Sequence, residues 1–215
     1  METKTETREY YAYNEVREWS MVDGWFVNPD DPSFKVSVHP DVCCIDPSVL
    51  LGRGAEIERK AVVGASATVE ANAVVGTCSA VGTGAVVGAG ATVWFVVKVG
   101  ANAKIGAGAV VDTNATVGAD AVVGTVARVG SEAVIGPGAM VGAGARVGAG
   151  VRVGFVAVVE SGATVEPDAV IGSGAVVGPG ARVESGAVVG PWARVGAGAV
   201  VESGATVESG AVVGA

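Results

Sequence analysis

Residues 177–215 read VGPGARVESGAVVGPWARVGAGAVVESGATVESGAVVGA, and the spacing of their valines decides the fold. One valine stands at every sixth position: Val177, Val183, Val189, Val195, Val201, Val207 and Val213. An α-helix would place apolar residues at three- and four-residue steps, and a half-buried strand would alternate strictly. A period of six fits neither pattern, so the stretch predicts a repeat architecture.

The same period runs back to Ile45 without an insertion and gives 29 aliphatic anchors, each Val, Ile or Leu. The residue four places after an anchor is nearly always small, as at Ala67 and Ala163. In a short strand that small residue and the next anchor point to the same side. Two residues then turn a corner, and the second must tolerate positive φ. Residues of that kind occupy the second corner position: Gly54, Gly84, Gly108, Gly138, Gly198, Asn72, Asn102, Asn114, Asp120 and Asp168.

Three strands and three corners close a triangular coil of 18 residues, which buries its apolar residues only against neighbouring coils. About 9.5 such coils, stacked at about 4.8 Å, give a prism roughly 45 Å long. The repeat over residues 45–215 resembles the left-handed parallel β-helix of the hexapeptide-repeat superfamily, and the left-handed winding is implied by that resemblance. We predict an all-β, single-stranded left-handed parallel β-helix over residues 38–215. Residues 1–37 hold seven of the eleven aromatic residues, and we expect them to cap the first coil or to dock elsewhere.

Composition excludes several classes of partner. The net charge of −8 and a pI near 4.7 argue against nucleic acid, because proteins that bind it show a basic footprint. No apolar run approaches the ~20 residues of a membrane span, and the first residues lack the apolar region of a signal peptide. Cys43, Cys44 and Cys78 have no metal-type spacing. Reduced thiols indicate a cytoplasmic protein, although a phage or virion origin would look the same.

The resemblance implies acyl transfer from a coenzyme A or carrier-protein thioester, with a histidine as general base. The single histidine, His39, lies in residues 38–42, VHPDV, which resemble the opening motif of lipid A-type acyltransferases, where the histidine is usually structural. His39 is therefore only a weak catalytic candidate, and the unbroken register leaves no extruded loop. We expect no cofactor and no metal, since the three-histidine site of γ-class carbonic anhydrases cannot form.

One outward face of the predicted prism is largely apolar and is flanked by glycines. Its positions are Leu50, Thr68, Val86, Lys104, Val122, Met140, Val158, Val176, Arg194 and Val212. Contiguous apolar strips usually mark interfaces, and packing of three prisms side by side is common in the superfamily. We therefore predict a homotrimer whose interface contains Val86, Val122, Met140, Val158 and Val176.

Three corners break the glycine or asparagine rule with Val96, Val126 and Val156. A β-branched residue disfavours positive φ, so these corners are expected to adopt another turn. Together with nearby aromatic residues they are candidate contact corners: Trp94, Phe95, Val96, Val126, Phe155, Val156 and Trp192. The three valines lie on three different edges, which favours contacts between molecules over one ligand site.

These observations predict a non-catalytic structural or binding β-solenoid, a rigid trimeric prism that serves as scaffold, spacer or docking module. Further assembly is expected through the N-terminal segment or the open C-terminal coil. The alternative is a hexapeptide-repeat acyltransferase with its active site between chains. Ice binding is less favoured because the outward threonines form no ladder: Thr68, Thr92, Thr116, Thr164 and Thr206.

Overall fold

Each six-residue repeat forms one two-residue strand, so that 29 short strands follow one another from Cys44 to Val213. The computed structural model describes residues 8–12, 15–22, 25–28, 31–38, 44–46 and 48–214. In these strands the first residue faces outward and the anchor faces the core. Strands 18 residues apart pair in parallel, as Val122 does with Met140. Three parallel sheets result, and the predicted all-β solenoid is confirmed.

Sheet I contains β7 (Glu56–Ile57), β10 (Val74–Val75), β13 (Thr92–Val93), β16 (Val110–Val111), β19 (Arg128–Val129), β22 (Arg146–Val147), β25 (Thr164–Val165), β28 (Arg182–Val183) and β31 (Val200–Val201). Sheet II contains β5 (Cys44–Ile45), β8 (Val62–Val63), β11 (Ala80–Val81), β14 (Lys98–Val99), β17 (Thr116–Val117), β20 (Val134–Ile135), β23 (Arg152–Val153), β26 (Val170–Ile171), β29 (Val188–Val189) and β32 (Thr206–Val207).

Sheet III contains β6 (Leu50–Leu51), β9 (Thr68–Val69), β12 (Val86–Val87), β15 (Lys104–Ile105), β18 (Val122–Val123), β21 (Met140–Val141), β24 (Val158–Val159), β27 (Val176–Val177), β30 (Arg194–Val195) and β33 (Val212–Val213). The five outward threonines lie on all three sheets and never on neighbouring strands. They form no ladder, as the sequence predicts.

The corners are type II turns. At the first of them the N–H of Ala55 donates to the carbonyl oxygen of Gly52 at 3.0 Å, and Gly54 has a φ of 71°. Positive φ at the third residue of a turn closed in this way is the type II geometry. The predicted corner glycines, asparagines and aspartates all have positive φ, so the corner chemistry read from the sequence is confirmed.

Backbone hydrogen bonds join each coil to the next. The N–H of Leu50 donates to Ala67 at 2.9 Å and the N–H of Gly52 to Val69 at 2.7 Å. At the corner, the N–H of Asn72 donates back to Arg53 at 2.8 Å. Both the strands and the corners are therefore hydrogen-bonded along the prism axis, which satisfies the backbone of a narrow solenoid.

The core is a single column of anchors and small residues. Anchors such as Ile105 and Ile135 are at most 1% exposed, and the alanines beside them, such as Ala103, are fully buried. Burying one aliphatic side chain of this size contributes about 1.5–3 kcal/mol. Because the alanines leave little space, the column excludes large side chains and fills without aromatic residues.

The expectation that the three valine corners use another turn is wrong. Val96, Val126 and Val156 keep the standard corner, with φ of 59°, 50° and 46°. Val126 has room because the corner beneath it is Gly108: a Cβ there would lie 3.2 Å from Val126 Cγ1. The coil-to-coil hydrogen bonds impose the turn, and the valine accepts the strain.

An antiparallel meander precedes the solenoid: β1 (Arg8–Ala12), β2 (Glu15–Val22), β3 (Trp25–Asn28) and β4 (Asp31–Val38). Its last strand joins sheet I in parallel with β7, and Val38 pairs with Ile57. That spacing exceeds 18 by one residue, which confirms the slip expected between Val38 and Ile45. β1 also approaches β6 of sheet III. Within the described residues no helix is long and apolar enough to cross a membrane.

Replacing Val126 by Asn should stabilise the protein by about 1 kcal/mol, because a β-branched residue in the left-handed region is strained and Asn tolerates it. Thermal unfolding followed by circular dichroism measures the change. The matched control is Val122→Asn, an outward strand position, which should lower the midpoint because Asn is a poor strand former. A midpoint that falls for both variants would contradict the strain at the Val126 corner.

Candidate functional site

The predicted interface residues form a continuous strip along sheet III. Val122, Met140, Val158 and Val176 stand on neighbouring strands in direct register. Met140 is 50% exposed, and the three valines are half-buried. Val86 lies on the same sheet but is separated from them by Lys104. The structure thus brings together the four central residues of the predicted interface.

Glycines keep one border of this strip flat. A Cβ on Gly124 would lie 2.6 Å from the backbone nitrogen of Ala143, and one on Gly142 would lie 2.4 Å from that of Ser161. Contacts this short with backbone atoms cannot be relieved by moving a side chain. The glycines are therefore required by the stacking of the coils, and they leave the border toward sheet I open.

Two cavities lie along that border, and sequence reasoning did not find them. The lower one, of about 310 Å³, is lined by Val122, Met140, Val158, Glu160 and Pro179, among others. The upper one, of about 220 Å³, shares Glu160 and Pro179 with it. Glu160 is the carboxylate common to both. A third cavity, of about 510 Å³, lies on the first coils of sheet III beside Leu50 and Thr68.

The edge between sheets II and III carries two projecting aromatic residues. Phe155 is 58% exposed and Trp192 is 66% exposed. Trp192 has a φ of 60°, and its six-membered ring lies over Gly174, where a Cβ would be 2.4 Å from Cε3. The missing side chain at Gly174 therefore holds the indole in one place with its other face in solvent.

This edge also concentrates exposed apolar surface. Seven of the thirteen exposed large hydrophobic residues lie on it: Val134, Met140, Phe155, Val156, Val170, Val188 and Trp192. Its segments 133–141, 151–159, 169–177 and 187–195 contain two charged residues, Arg152 and Arg194, and no acid. In a chain with a net charge of −8, this composition favours an interface with an apolar and acidic surface.

The remaining contact corners lie elsewhere. Val126 stands on the edge between sheets III and I and is 63% exposed. Trp94, Phe95 and Val96 stand on the edge between sheets I and II, and the two rings meet edge to face with centroids 5.8 Å apart. The candidate corners are therefore spread over three edges, as predicted, and do not form one pocket.

The Trp94 corner is opened by a buried hydroxyl. Ser79 replaces the usual alanine and is fully buried. Its hydroxyl donates to the carbonyl oxygen of Trp94 and accepts the N–H of Val97 at 3.0 Å. It thus stands between the two backbone groups that bond directly in a standard corner.

Several carboxylates have structural partners. Glu58 accepts the backbone N–H of Thr77 at 2.9 Å and its hydroxyl at 2.7 Å. Glu70 and Glu184 likewise accept corner N–H groups of the next coil, and Glu166 pairs with Arg182. Where glutamate replaces the glycine after an anchor, it therefore bonds to the adjacent coil and is not a catalytic acid.

Asp46 marks the first described corner. The Ser48 hydroxyl and, to a smaller extent, the Ser48 backbone N–H hydrogen-bond to its carboxylate and lower its pKa. Among residues 44–46 and 48–214, no three His, Cys, Asp or Glu side chains are grouped as a metal site would require. His39 lies outside the described residues, so its catalytic role stays a sequence-based hypothesis.

Solved structures with a similar fold are acyltransferases. UDP-N-acetylglucosamine acyltransferase from Campylobacter jejuni is 21% identical, with a TM-score of 0.44 over 75% of this chain and 68% of that one. UDP-N-acetylglucosamine O-acyltransferase from Moraxella catarrhalis is 17% identical, with a TM-score of 0.49 over 73% and 66%. The acetyltransferase domain of PglB from Neisseria gonorrhoeae, solved with acetyl coenzyme A, is 21% identical, with a TM-score of 0.24 over 78% and 55%.

These likenesses, all below 25% identity, concern the fold alone. The chain matches no protein-family model and no curated protein. The six-residue repeat, the three parallel sheets and the 18-residue register define the class: a left-handed parallel β-helix of the hexapeptide-repeat, acyltransferase-like superfamily. What the chain does with this fold depends on its own strip, cavities and corners.

Replacing Ser79 by Ala should cost about 1–2 kcal/mol, because the buried carbonyl of Trp94 and the N–H of Val97 lose their shared partner. Chemical denaturation monitored by Trp fluorescence measures the loss. Ser185→Ala, which removes an exposed corner hydroxyl, is the control and should change stability by less than about 0.5 kcal/mol. Equal stabilities of the two variants would show that the Trp94 corner closes without the hydroxyl.

Proposed function

We propose that the protein is a homotrimeric β-helix prism that packs through sheet III and serves as a rigid scaffold or docking module. The observation that carries this proposal is the strip formed by Val122, Met140, Val158 and Val176. Removing such a strip from water favours association, at about 25 cal/mol per Å² of apolar area. The flat glycine border allows another prism to approach closely.

The ends of the prism complete this proposal. The meander formed by β1–β4 extends sheet I, and β1 approaches β6 of sheet III. A segment that runs from one sheet toward another across the first coil supports the role of a cap, which solenoids require to cover unpaired strand edges. Docking through this segment or the last coil stays a sequence-based hypothesis.

A second candidate is an acyltransferase with its active site between chains. The cavities beside Val158 and Val176 are apolar along one side, and a neighbouring copy would close them over an acyl chain. His39 would supply the general base, as the 38–42 motif suggests. This function and the scaffold share the trimer and differ in whether a thioester is consumed.

The trimer is tested with Met140→Glu. We expect the wild-type protein to be a trimer by light scattering after gel filtration, and the variant to be a monomer, because the carboxylate would be buried without a partner. Val200→Glu is the matched control, since Val200 has nearly the same exposure, 51% against 50%, but lies on sheet I. If wild type and Met140→Glu were both monomeric, the proposed trimer would be wrong.

Release of free coenzyme A separates the two candidates. The scaffold predicts no release above the uncatalysed rate from acetyl-, decanoyl- or hydroxyacyl-coenzyme A with amine or hydroxyl acceptors. The acyltransferase predicts turnover that His39→Ala abolishes while the trimer persists, because general-base catalysis contributes typically 10²–10⁴-fold. Turnover that survived His39→Ala would contradict both candidates, since no other histidine exists in the chain.

A further inference from the structure

We infer that neighbouring copies interlock by inserting Phe155 and Trp192 of one copy into the two sheet III cavities of the next, with Arg152 facing the partner's Glu160. This inference rests on the trimer proposed above and specifies its contacts. It joins two features that lie on opposite borders of the same sheet. One border carries the aromatic projections, and the other carries the cavities.

The placement on two borders is what a closed ring requires. When three copies turn sheet III toward a common axis, the II–III edge of each copy meets the III–I border of the next. An interface of two different surfaces closes into a ring when the rotation allows it. A projection and a cavity on one chain can thus satisfy each other around the ring without leaving an unused partner.

The heights of the two features along the prism also agree. A coil of 18 residues rises about 4.8 Å, so height increases by about 0.3 Å per residue. Copies related by rotation about an axis parallel to the prism place equal residue numbers at equal heights. Arg152 and the partner's Glu160 are eight residues apart in number, which is about 2 Å in height.

The same comparison pairs each aromatic residue with one cavity. Phe155 falls within the span of the lower cavity, lined by residues from Val122 to Pro179. Trp192 falls within the span of the upper cavity, lined by residues from Glu160 to Val212. Each cavity has the volume to accept an aromatic side chain, and aromatic residues in pockets are the usual anchors of protein interfaces.

Charge selects the same arrangement. Arg152 is exposed, Glu160 is half-buried, and neither has an ion-pair or hydrogen-bond partner in the part of the chain whose side chains are described. Glu160 lines both cavities. A carboxylate at the rim of an apolar pocket favours a cation beside the inserted ring, and Arg152 is three residues from Phe155 in the same coil.

Charge reversal tests the pairing. Arg152→Glu and Glu160→Arg should each raise the trimer dissociation constant about tenfold or more, because like charges then face each other. The double variant should return to within about threefold of wild type. Both positions are outside the core, so thermal midpoints should stay unchanged at protein concentrations below dissociation. Sedimentation equilibrium measures the constants.

The aromatic contacts are tested separately. Phe155→Ser and Trp192→Gly introduce the residues that neighbouring coils already hold at these corners, at Ser173 and Gly174, and should dissociate the trimer without unfolding the coil. Phe95→Thr removes an exposed aromatic residue from the edge between sheets I and II and should leave the trimer intact.

The outcomes distinguish this inference from the trimer itself. Dissociation by both single charge variants with rescue by the double variant supports the interlocking. A wild-type trimer that none of these variants weakens would keep the trimer and overturn the interlocking. Dissociation by both single variants without rescue would overturn the Arg152–Glu160 pairing. A wild-type monomer at all concentrations would remove the proposed trimer, and this inference with it.

Discussion

The structure depends on one corner conformation, a backbone turn with positive φ that recurs every six residues. Each corner redirects the chain by the same angle, so three of them bring the chain back above its starting point. The next coil then lies within hydrogen-bonding distance at its strands and at its corners, as Leu50 with Ala67 and Asn72 with Arg53 show. Because each coil positions the next, the conformation is maintained even by residues that disfavour it, such as Val126 at a φ of 50°.

Departures from the repeat are tolerated only where a neighbouring coil compensates for them. Trp192 fits because Gly174 beneath it has no side chain. Ser79 bridges the backbone groups that separate at the Trp94 corner, and Glu58 bonds to the next coil in place of a close glycine contact. These compensations keep the core column unchanged, so variation appears on the outer surface. Any specific interaction of this protein must therefore come from its edges and outward strand positions.

The fold could be read from the sequence because its determinants are local and repeated. Anchors, small residues and corner residues each occupy a fixed position in the six-residue unit, and 29 repetitions leave one register. The strip on sheet III could be read for the same reason, since residues 18 apart must be neighbours. The valine corners were misjudged because their intrinsic preference was weighed without the hydrogen bonds that the adjoining coils impose.

The sequence by itself determined the period, the three sheets, the core column and the alignment of Val122, Met140, Val158 and Val176. Only the tertiary structure decided how far each outward side chain projects and where the surface is hollow. The cavities around Glu160 arise from glycine backbones and side chains contributed by several coils, so no single repeat encodes them. Likewise, the fixed position of Trp192 depends on Gly174, a full coil earlier, because contacts along the prism axis join residues 18 positions apart.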